Sequence, residues 1–243
     1  MTIELITFAS TQGQIDSVIK AGATHIILDD PLISIRSWEQ PRSFDAFKSL
    51  KALIQYINKN YPDSLISIQC DFIYHHHHDE IVGHLIKLLR TCPVNFVRVQ
   101  DVGLCKQLSA YVSCVLDAQI GHTSWASVQA LKQWATRQCL SMEVPASDIN
   151  VIHEKAQTRL ELVVHGQVCI QYSQRRYLLG HLNPGENNES LTQIHRLAED
   201  EDYPGRRFTF LDNPHGHFMF AYFDRSLLAD IALLKQCKLQ GWV

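Results

Sequence analysis

The sequence predicts an α/β fold with a parallel sheet, because short β-branched apolar runs alternate with helical patterns along most of its length. The repeating unit is a strand, a polar turn and a helix, which recurs about every 25–35 residues. The first strand leads into FASTQGQ and lacks the G-x-G-x-x-G turn that a doubly wound dinucleotide-binding sheet uses. We therefore predict a TIM-like (β/α) barrel and retain the doubly wound open sheet as the alternative.

Seven segments carry the strand pattern, and helical patterns lie between them. Several of the helices begin at a serine that can cap the first turn, namely Ser43, Ser124 and Ser147. The predicted strands are Glu4–Ala9, His25–Asp30, Leu65–Phe72, Asn95–Asp101, Ser113–Gln119, Cys139–Val144 and Leu160–His165. The predicted helices are Thr11–Ala21, Ser43–Asn60, His78–Arg90, Gly103–Ala110, Ser124–Thr136, Ser147–Lys155 and, near the end, Ser226–Cys237.

Beyond Gly166 the alternation stops, and a loop-rich stretch leads to a predicted hairpin with Asn213-Pro214-His215-Gly216 at its turn. The chain ends in Gly241-Trp242-Val243, where an eighth strand would begin. The predicted barrel is therefore open or one strand short, unless a partner closes it. We expect residues 1–243 to form one barrel domain, with a loop and C-terminal β-hairpin insertion over 167–224.

Composition excludes several classes of protein. The 22 Lys and Arg against 25 Asp and Glu give a net charge of −3, so charge alone does not support nucleic-acid binding. The N-terminus lacks a secretion signal, and no apolar run is long enough to span a membrane. Seven scattered cysteines without a C-x-x-C pair indicate free thiols. We expect a cytoplasmic protein with no membrane partner and no metal site.

Alternation along the predicted strands also places polar side chains inside the barrel. Buried charge is costly unless it is paired, so such an interior is either a functional pocket or a satisfied structural network. Glu143, Glu161 and His165 are catalytic candidates from this set, and Arg98, Gln100 and Gln119 are substrate-binding candidates. The inward positions are Ser67, Gln69, Asp71, Arg98, Gln100, Asp117, Gln119, Ser141, Glu143, Glu161 and His165.

Three further motifs bear on possible chemistry. The run from His75 to His78 cannot direct four consecutive imidazoles at one ion, so a solvated loop is favoured over a metal site. No G-x-S-x-G turn is present, which disfavours a serine hydrolase. Cys169 lies near His165 and is the one candidate for a Cys/His nucleophile pair, although a single cysteine is more often a buried apolar filler.

The segment LELVVHGQVCIQYSQRRYLL, residues 160–179, resembles the signature of the collagenase-like peptidase family U32. The matching residues are Glu161, Gly166, Cys169, Tyr172 and Ser173. Weaker likeness covers most of the chain, and the segments DPLISIRSWEQPRSF and YPGRRFTFLDN place it nearest to the UbiU/UbiV branch. The resemblance implies a barrel, and it adds Arg36, Tyr172 and Arg176 to the candidate substrate-binding residues.

Members of this family are associated with oxygen-independent hydroxylation in ubiquinone biosynthesis or with hydroxylation of ribosomal or transfer RNA, and a few are described as collagenases. UbiU and UbiV form a heterodimer, and each carries a 4Fe-4S cluster on four cysteines. In this sequence only Cys169 matches a cluster ligand, since the second ligand position falls on Arg176 and no cysteine lies between Cys169 and Cys237. A guanidinium cannot ligate iron, so we predict that this chain holds no 4Fe-4S cluster.

These observations lead to a hypothesis and two alternatives. The leading hypothesis is a cluster-less accessory or binding subunit in ubiquinone or RNA hydroxylation. It would form a homo- or heterodimer with a related barrel protein and bind a small-molecule or peptide ligand. The first alternative is a peptidase with Cys169 as nucleophile and His165 as base. The second is a barrel fragment whose edge strands pair with another chain.

Overall fold

A closed barrel of eight parallel strands surrounds the core of this protein, as seen in a computed structural model that describes residues 3–35, 46–117, 122–182, 194–213 and 215–243. The chain divides into two compact units, Met1–Val163 with Asp230–Val243, and Val164–Ala229. The α/β barrel predicted from the sequence is confirmed. No helix within the described ranges is both long and apolar enough to cross a membrane.

The first unit contains the barrel, whose strands follow the order β1-β12-β7-β6-β5-β4-β3-β2. Its strands are β1 (Glu4–Phe8), β2 (His25–Leu28), β3 (Leu65–Cys70), β4 (Phe96–Val99), β5 (Ser113–Leu116), β6 (Arg137–Leu140), β7 (Arg159–Leu162) and β12 (Gly241–Trp242). Its helices are α1 (Gln12–Lys20), α2 (Ala46–Asn60), α3 (Asp79–Thr91), α4 (Val102–Leu108), α5 (Trp125–Leu131), α6 (Ala146–Ala156) and α8 (Ile231–Leu234).

The prediction of an open or incomplete barrel is wrong, because β12 closes it. Gly241 pairs with Glu4 on β1 and with Glu161 on β7, and Trp242 pairs in parallel with both neighbours as well. A Cβ on Gly241 would lie 2.4 Å from Ile6 Cδ1, so glycine allows this close approach. Two residues are too few to show strand periodicity, which explains why the sequence pattern missed this strand.

Two other predicted boundaries are also corrected. The sixth strand begins at Arg137 and ends at Leu140, rather than running from Cys139 to Val144, because a turn follows directly. The predicted last helix is reduced to a single turn, since Ser226 ends a strand and only Ile231–Leu234 is α-helical. Among the predicted serine caps, Ser124 accepts a hydrogen bond from the Ser127 amide at 3.4 Å and is confirmed. Ser43 lies outside the described residues, and Ser147 lies inside α6.

In its described residues, the second unit forms a four-stranded antiparallel sheet in the order β8-β11-β10-β9 and a short α-helix. The predicted hairpin is confirmed, since Asn213 and Gly216 pair across its turn. Gly216 has a φ of 131°, and a Cβ there would lie 2.2 Å from the Ser173 carbonyl oxygen, so the turn requires glycine. The elements are β8 (His165–Ser173), α7 (Tyr177–Leu182), β9 (Ile194–Glu199), β10 (Arg207–Asn213) and β11 (Gly216–Ser226).

Charged side chains fill the middle of the barrel. The Arg98 guanidinium is fully buried and donates to Glu161 at 2.5 Å and to Asp117 at 3.4 Å. Arg137 donates to Glu161 at 3.4 Å and to both carboxylate oxygens of Glu4, at 2.5 and 3.0 Å. Two guanidinium groups thus join three carboxylates from five different strands or strand ends. We call these five residues the barrel network.

The network is continued by a histidine at the amino end of β2. His25 contacts Glu4 through Nδ1 at 3.2 Å and the Ser67 hydroxyl through Nε2 at 2.6 Å. Burial lowers the pKa of His25 despite the neighbouring Glu4, so its imidazole is neutral at pH 7. Burial opposes ionisation of Glu4 as well, but hydrogen bonds from His25 and Arg137 outweigh it and lower the pKa of Glu4 to about 2.

We predict that Glu161→Gln lowers the free energy of unfolding by about 3–5 kcal/mol, because it leaves two buried guanidinium groups without their shared carboxylate. Urea unfolding measures this change. The matched control is Glu154→Gln, which removes an exposed ion pair with Lys238 at 2.9 Å and should leave the unfolding midpoint unchanged. Equal midpoints for the two variants would show that the barrel network does not stabilise the fold.

Candidate ligand pocket at the carboxyl end of the barrel

Polar side chains converge where the barrel strands end. Asp30, Asp71, Asp101 and Asp117 follow β2, β3, β4 and β5, and Ser141 follows β6. Parallel strands of a barrel bring their carboxyl ends to one face, and barrel enzymes hold their ligands at that face. These residues therefore surround one opening, which we call the barrel mouth.

Two acidic residues of the barrel mouth differ in how well they are hydrogen-bonded. Asp71 accepts from the Ile35 amide at 2.8 Å and from the Gln69 side chain at 3.0 Å. Asp30 accepts from the Leu32 amide at 2.9 Å through one oxygen, whereas its second oxygen is buried without a partner. The Gln69 side-chain oxygen is likewise buried and unpaired. Unpaired buried acceptors are costly, so they indicate a place where a ligand or water donates.

The environment of Asp30 changes its acidity. The residue is 1% exposed, and burial raises the pKa of its carboxyl to about 6, against a usual value of 3.8. The Leu32 amide opposes this shift, and the charge of Asp29 adds to it. Asp30 can therefore exchange a proton with a bound group near neutral pH.

A buried histidine faces the same end of the barrel. His122 is 2% exposed, and neither of its ring nitrogens has a hydrogen-bond partner. Its carbonyl accepts from the Ser141 amide at 3.3 Å, which fixes the loop beside β6. Burial lowers the pKa of His122 although Asp117 opposes the shift, so the ring is neutral and offers one donor and one acceptor.

The predicted inward residues are partly brought together at this opening. Gln69 and Asp71 lie there as the alternation predicts. Asp117 lies there too and joins the barrel network through Arg98, whereas Arg98 and Glu161 lie deeper. Gln100 is half-buried, and its side-chain oxygen has no partner.

Other candidates lie elsewhere. Glu143 is exposed in the turn after β6, so the prediction of an interior position is wrong. The strand ends at Leu140, three residues before it, and alternation no longer applies there. Arg36 and Gln119 lie outside the described residues.

The sequence analysis missed two residues of the barrel mouth, Asp30 and His122. Asp30 carries a recognisable signal, since the pair Asp29-Asp30 directly follows the fully buried strand β2. His122 lies in a loop where no periodicity applies, so nothing in the pattern distinguishes it from a surface histidine.

The candidate Cys/His pair is not brought together. His165 and Cys169 lie four residues apart on β8, which places their Cα atoms about 13 Å apart at roughly 3.3 Å per strand residue. The Cys169 thiol contacts the Gln171 carbonyl at 3.3 Å, on the side away from His165. A base must lie about 3 Å from its nucleophile, so this geometry does not form a thiol-protease pair.

Two more candidate residues, Tyr172 and Arg176, lie in the second unit. The Tyr172 hydroxyl donates to the His215 carbonyl at 3.0 Å, and its ring stacks on Phe218 with 4.8 Å between centroids. Arg176 is half-buried between β8 and α7, and Arg175 beside it is exposed.

The cysteines do not form a cluster site. Cys169 is half-buried, while the six others are buried on separate elements, and burial raises the pKa of Cys70 and Cys139 well above the usual value. Within the described ranges, which include every cysteine, no three His, Cys, Asp or Glu side chains form a group that could hold a metal ion. A 4Fe-4S cluster needs four converging thiolates, so this donor set does not fit one. The buried cysteines are Cys70, Cys92, Cys105, Cys114, Cys139 and Cys237.

Two proteins of described function are similar to parts of this chain. The tRNA hydroxylation protein P1 of Bacillus subtilis is 26% identical over 127 residues, which cover 51% of this chain and 30% of the relative. The tRNA hydroxylation protein P of Haemophilus influenzae is 36% identical over 76 residues, which cover 30% of this chain and 16% of the relative. The matched regions thus span less than a third of either relative.

Solved structures support the fold. The U32 peptidase Mk0906 superposes with a TM-score of 0.54 at 12% identity, over 68% of this chain and 69% of that protein. A class V chitinase from Cycas revoluta gives a TM-score of 0.50 at 10% identity, over 98% of this chain and 93% of that protein. At these identities the comparison shows a shared barrel only. The family is shown by sequence, since the model of Peptidase family U32 matches residues 11–242, and this chain belongs to that family.

Proposed function

We propose that this chain is an accessory barrel subunit that binds RNA for hydroxylation and carries no iron–sulfur cluster of its own. The observation that supports this most directly is its similarity, within family U32, to two proteins described as tRNA hydroxylation proteins. Hydroxylation in ubiquinone biosynthesis, the other activity expected of the UbiU/UbiV branch, is the alternative outcome of the test below.

The barrel mouth supports a binding role. Asp30, Gln69 and His122 present buried atoms without partners, and these can accept or donate hydrogen bonds to a polar group that enters from the carboxyl end. The barrel network does not compete for such a group, because its carboxylates already receive hydrogen bonds from Arg98 and Arg137. The ligand would therefore meet pre-organised groups above a rigid core.

We assign the redox chemistry of hydroxylation to a partner protein. Only Cys169 matches the cluster ligands of related proteins, and its six companions are buried apart from it. We infer a homo- or heterodimer with a related barrel protein, in which the partner supplies the redox centre. A set of seven free thiols is typical of a reducing compartment, which supports a cytoplasmic location.

The described position of His165 does not favour the peptidase alternative, since it lies four residues from Cys169 along β8 and cannot reach its thiol. The family name alone does not establish a proteolytic site.

Gene deletion tests the proposed function. We expect deletion to remove a hydroxylated nucleoside from digested tRNA, as measured by mass spectrometry, and the wild-type gene to restore it. The Cys169→Ser gene should also restore the nucleoside, because no cluster depends on that thiol. The double variant Gln69→Leu, His122→Leu should not, because it removes three of the unpaired polar atoms at the mouth. Unchanged nucleosides with altered ubiquinone would favour the alternative, and no change in either would refute the proposal.

The raised pKa of Asp30 predicts a pH-dependent stability. The folded state holds this proton more tightly than the unfolded state, so stability from Asp30 is present below about pH 4 and is lost as the pH rises through about 6. Relative to Asp30→Asn, the wild type should lose up to about 3 kcal/mol of unfolding free energy between about pH 4 and about pH 7. Urea unfolding at both pH values measures the difference, and parallel stabilities would contradict the buried position of Asp30.

A further inference from the structure

A groove with a volume of about 850 Å³ opens at the opposite end of the barrel from the mouth. It lies between the carboxyl ends of helices α5 and α6 and the amino end of strand β7. Lys132, His153, Glu154, Arg159 and Lys238 are among its lining residues. A volume of this size accommodates a nucleotide-sized group.

The groove is positively charged although the whole chain carries −3. Its lining holds three permanent cations, Lys132, Arg159 and Lys238, against one carboxylate, that of Glu154. Lys238 pairs with Glu154 at 2.9 Å, so these two charges offset each other. Two positive charges are left for a ligand, although the net charge of the whole chain is negative.

The two remaining cations can still donate. Lys132 donates to the Ala156 carbonyl at 3.2 Å, which completes the end of α6 and leaves two of its three N–H groups. Arg159 is exposed, and its guanidinium makes no hydrogen bond or ion pair within the described part of the chain. His153 adds a buried Nδ1 that likewise lacks a partner. This set can bind an anion through at least two separate side chains.

The barrel mouth would repel the same anion. Four aspartates among the described residues surround it, Asp30, Asp71, Asp101 and Asp117, whereas cations predominate in the lining of the groove. A polyanion is therefore drawn to the groove rather than to the mouth. Because the groove and the mouth lie at opposite ends of the barrel, one ligand can place its phosphates in the groove, away from the carboxylates of the mouth.

We propose that the groove is a phosphate-binding site. The phosphate esters of an RNA backbone are one source, which rests on the proposed function, and a free phosphate ester is the other. Each cation that neutralises a backbone phosphate releases counterions, so RNA binding here would weaken steeply with salt.

Fluorescence anisotropy with a labelled oligouridylate tests the site. We expect the double variant Lys132→Gln, Arg159→Gln to weaken binding about tenfold at low salt and to reduce the salt slope by about 1.4, since the probe is single-stranded. The control Lys51→Gln, Lys59→Gln removes two exposed cations from α2 and should bind like the wild type. Arg159→Gln alone should act in the same direction, and it keeps the Lys132 contact to α6 intact, so loss of folding can be separated from loss of binding.

Calorimetry with pyrophosphate distinguishes the sources. Binding of pyrophosphate that the groove variant loses, together with unchanged oligouridylate binding, would assign the groove to a free phosphate ester. If the groove variant and the control bind both probes equally, the phosphate site is refuted. These outcomes are separate from the gene deletion, because binding in vitro does not depend on whether a hydroxylated nucleoside is lost.

Discussion

The buried barrel network is the interaction on which the rest of the molecule depends. Arg98 and Arg137 each contact Glu161, and through Asp117 and Glu4 they connect five strands or strand ends across a core where aliphatic side chains would ordinarily lie. Each charge is tolerable only with its partners present, since an isolated buried ion is strongly destabilising. The network therefore holds together the five strands or strand ends that contribute to it.

The position of the network determines where a ligand can bind. Glu4, His25 and Arg137 lie at the amino ends of their strands, where Glu4 contacts both of the other two residues. These contacts do not involve the residues at the carboxyl ends of the strands. There Asp30 and His122 are buried but incompletely hydrogen-bonded. The barrel network thus pairs its carboxylates with guanidinium groups, whereas Asp30 and His122 at the mouth keep buried polar atoms without partners. These atoms can recognise a ligand group. The positive groove extends this division, since phosphate and polar ligand groups are favoured at opposite ends.

Much of this could be predicted from the sequence, because strand alternation is a strong signal. The pattern identified the barrel and the inward positions of Gln69, Arg98 and Asp117. The alternation pattern failed where a strand is short or where its predicted bounds are wrong. The pattern places Arg137 outside its strand, because the apolar run after it is more conspicuous than the strand start. The two-residue strand β12 has no periodicity. Local patterns also cannot show which cation will meet which carboxylate across the core, as in the contact between Arg137 and Glu4.

We propose that this family U32 barrel acts without an iron–sulfur cluster of its own. The most direct measurement is the iron and acid-labile sulfide content of the full chain purified without oxygen. The account predicts values near zero for the wild type and for Cys169→Ala alike, because no four thiolates converge. About four iron atoms per chain, lost in Cys169→Ala, would contradict it and would make this protein a redox subunit in its own right.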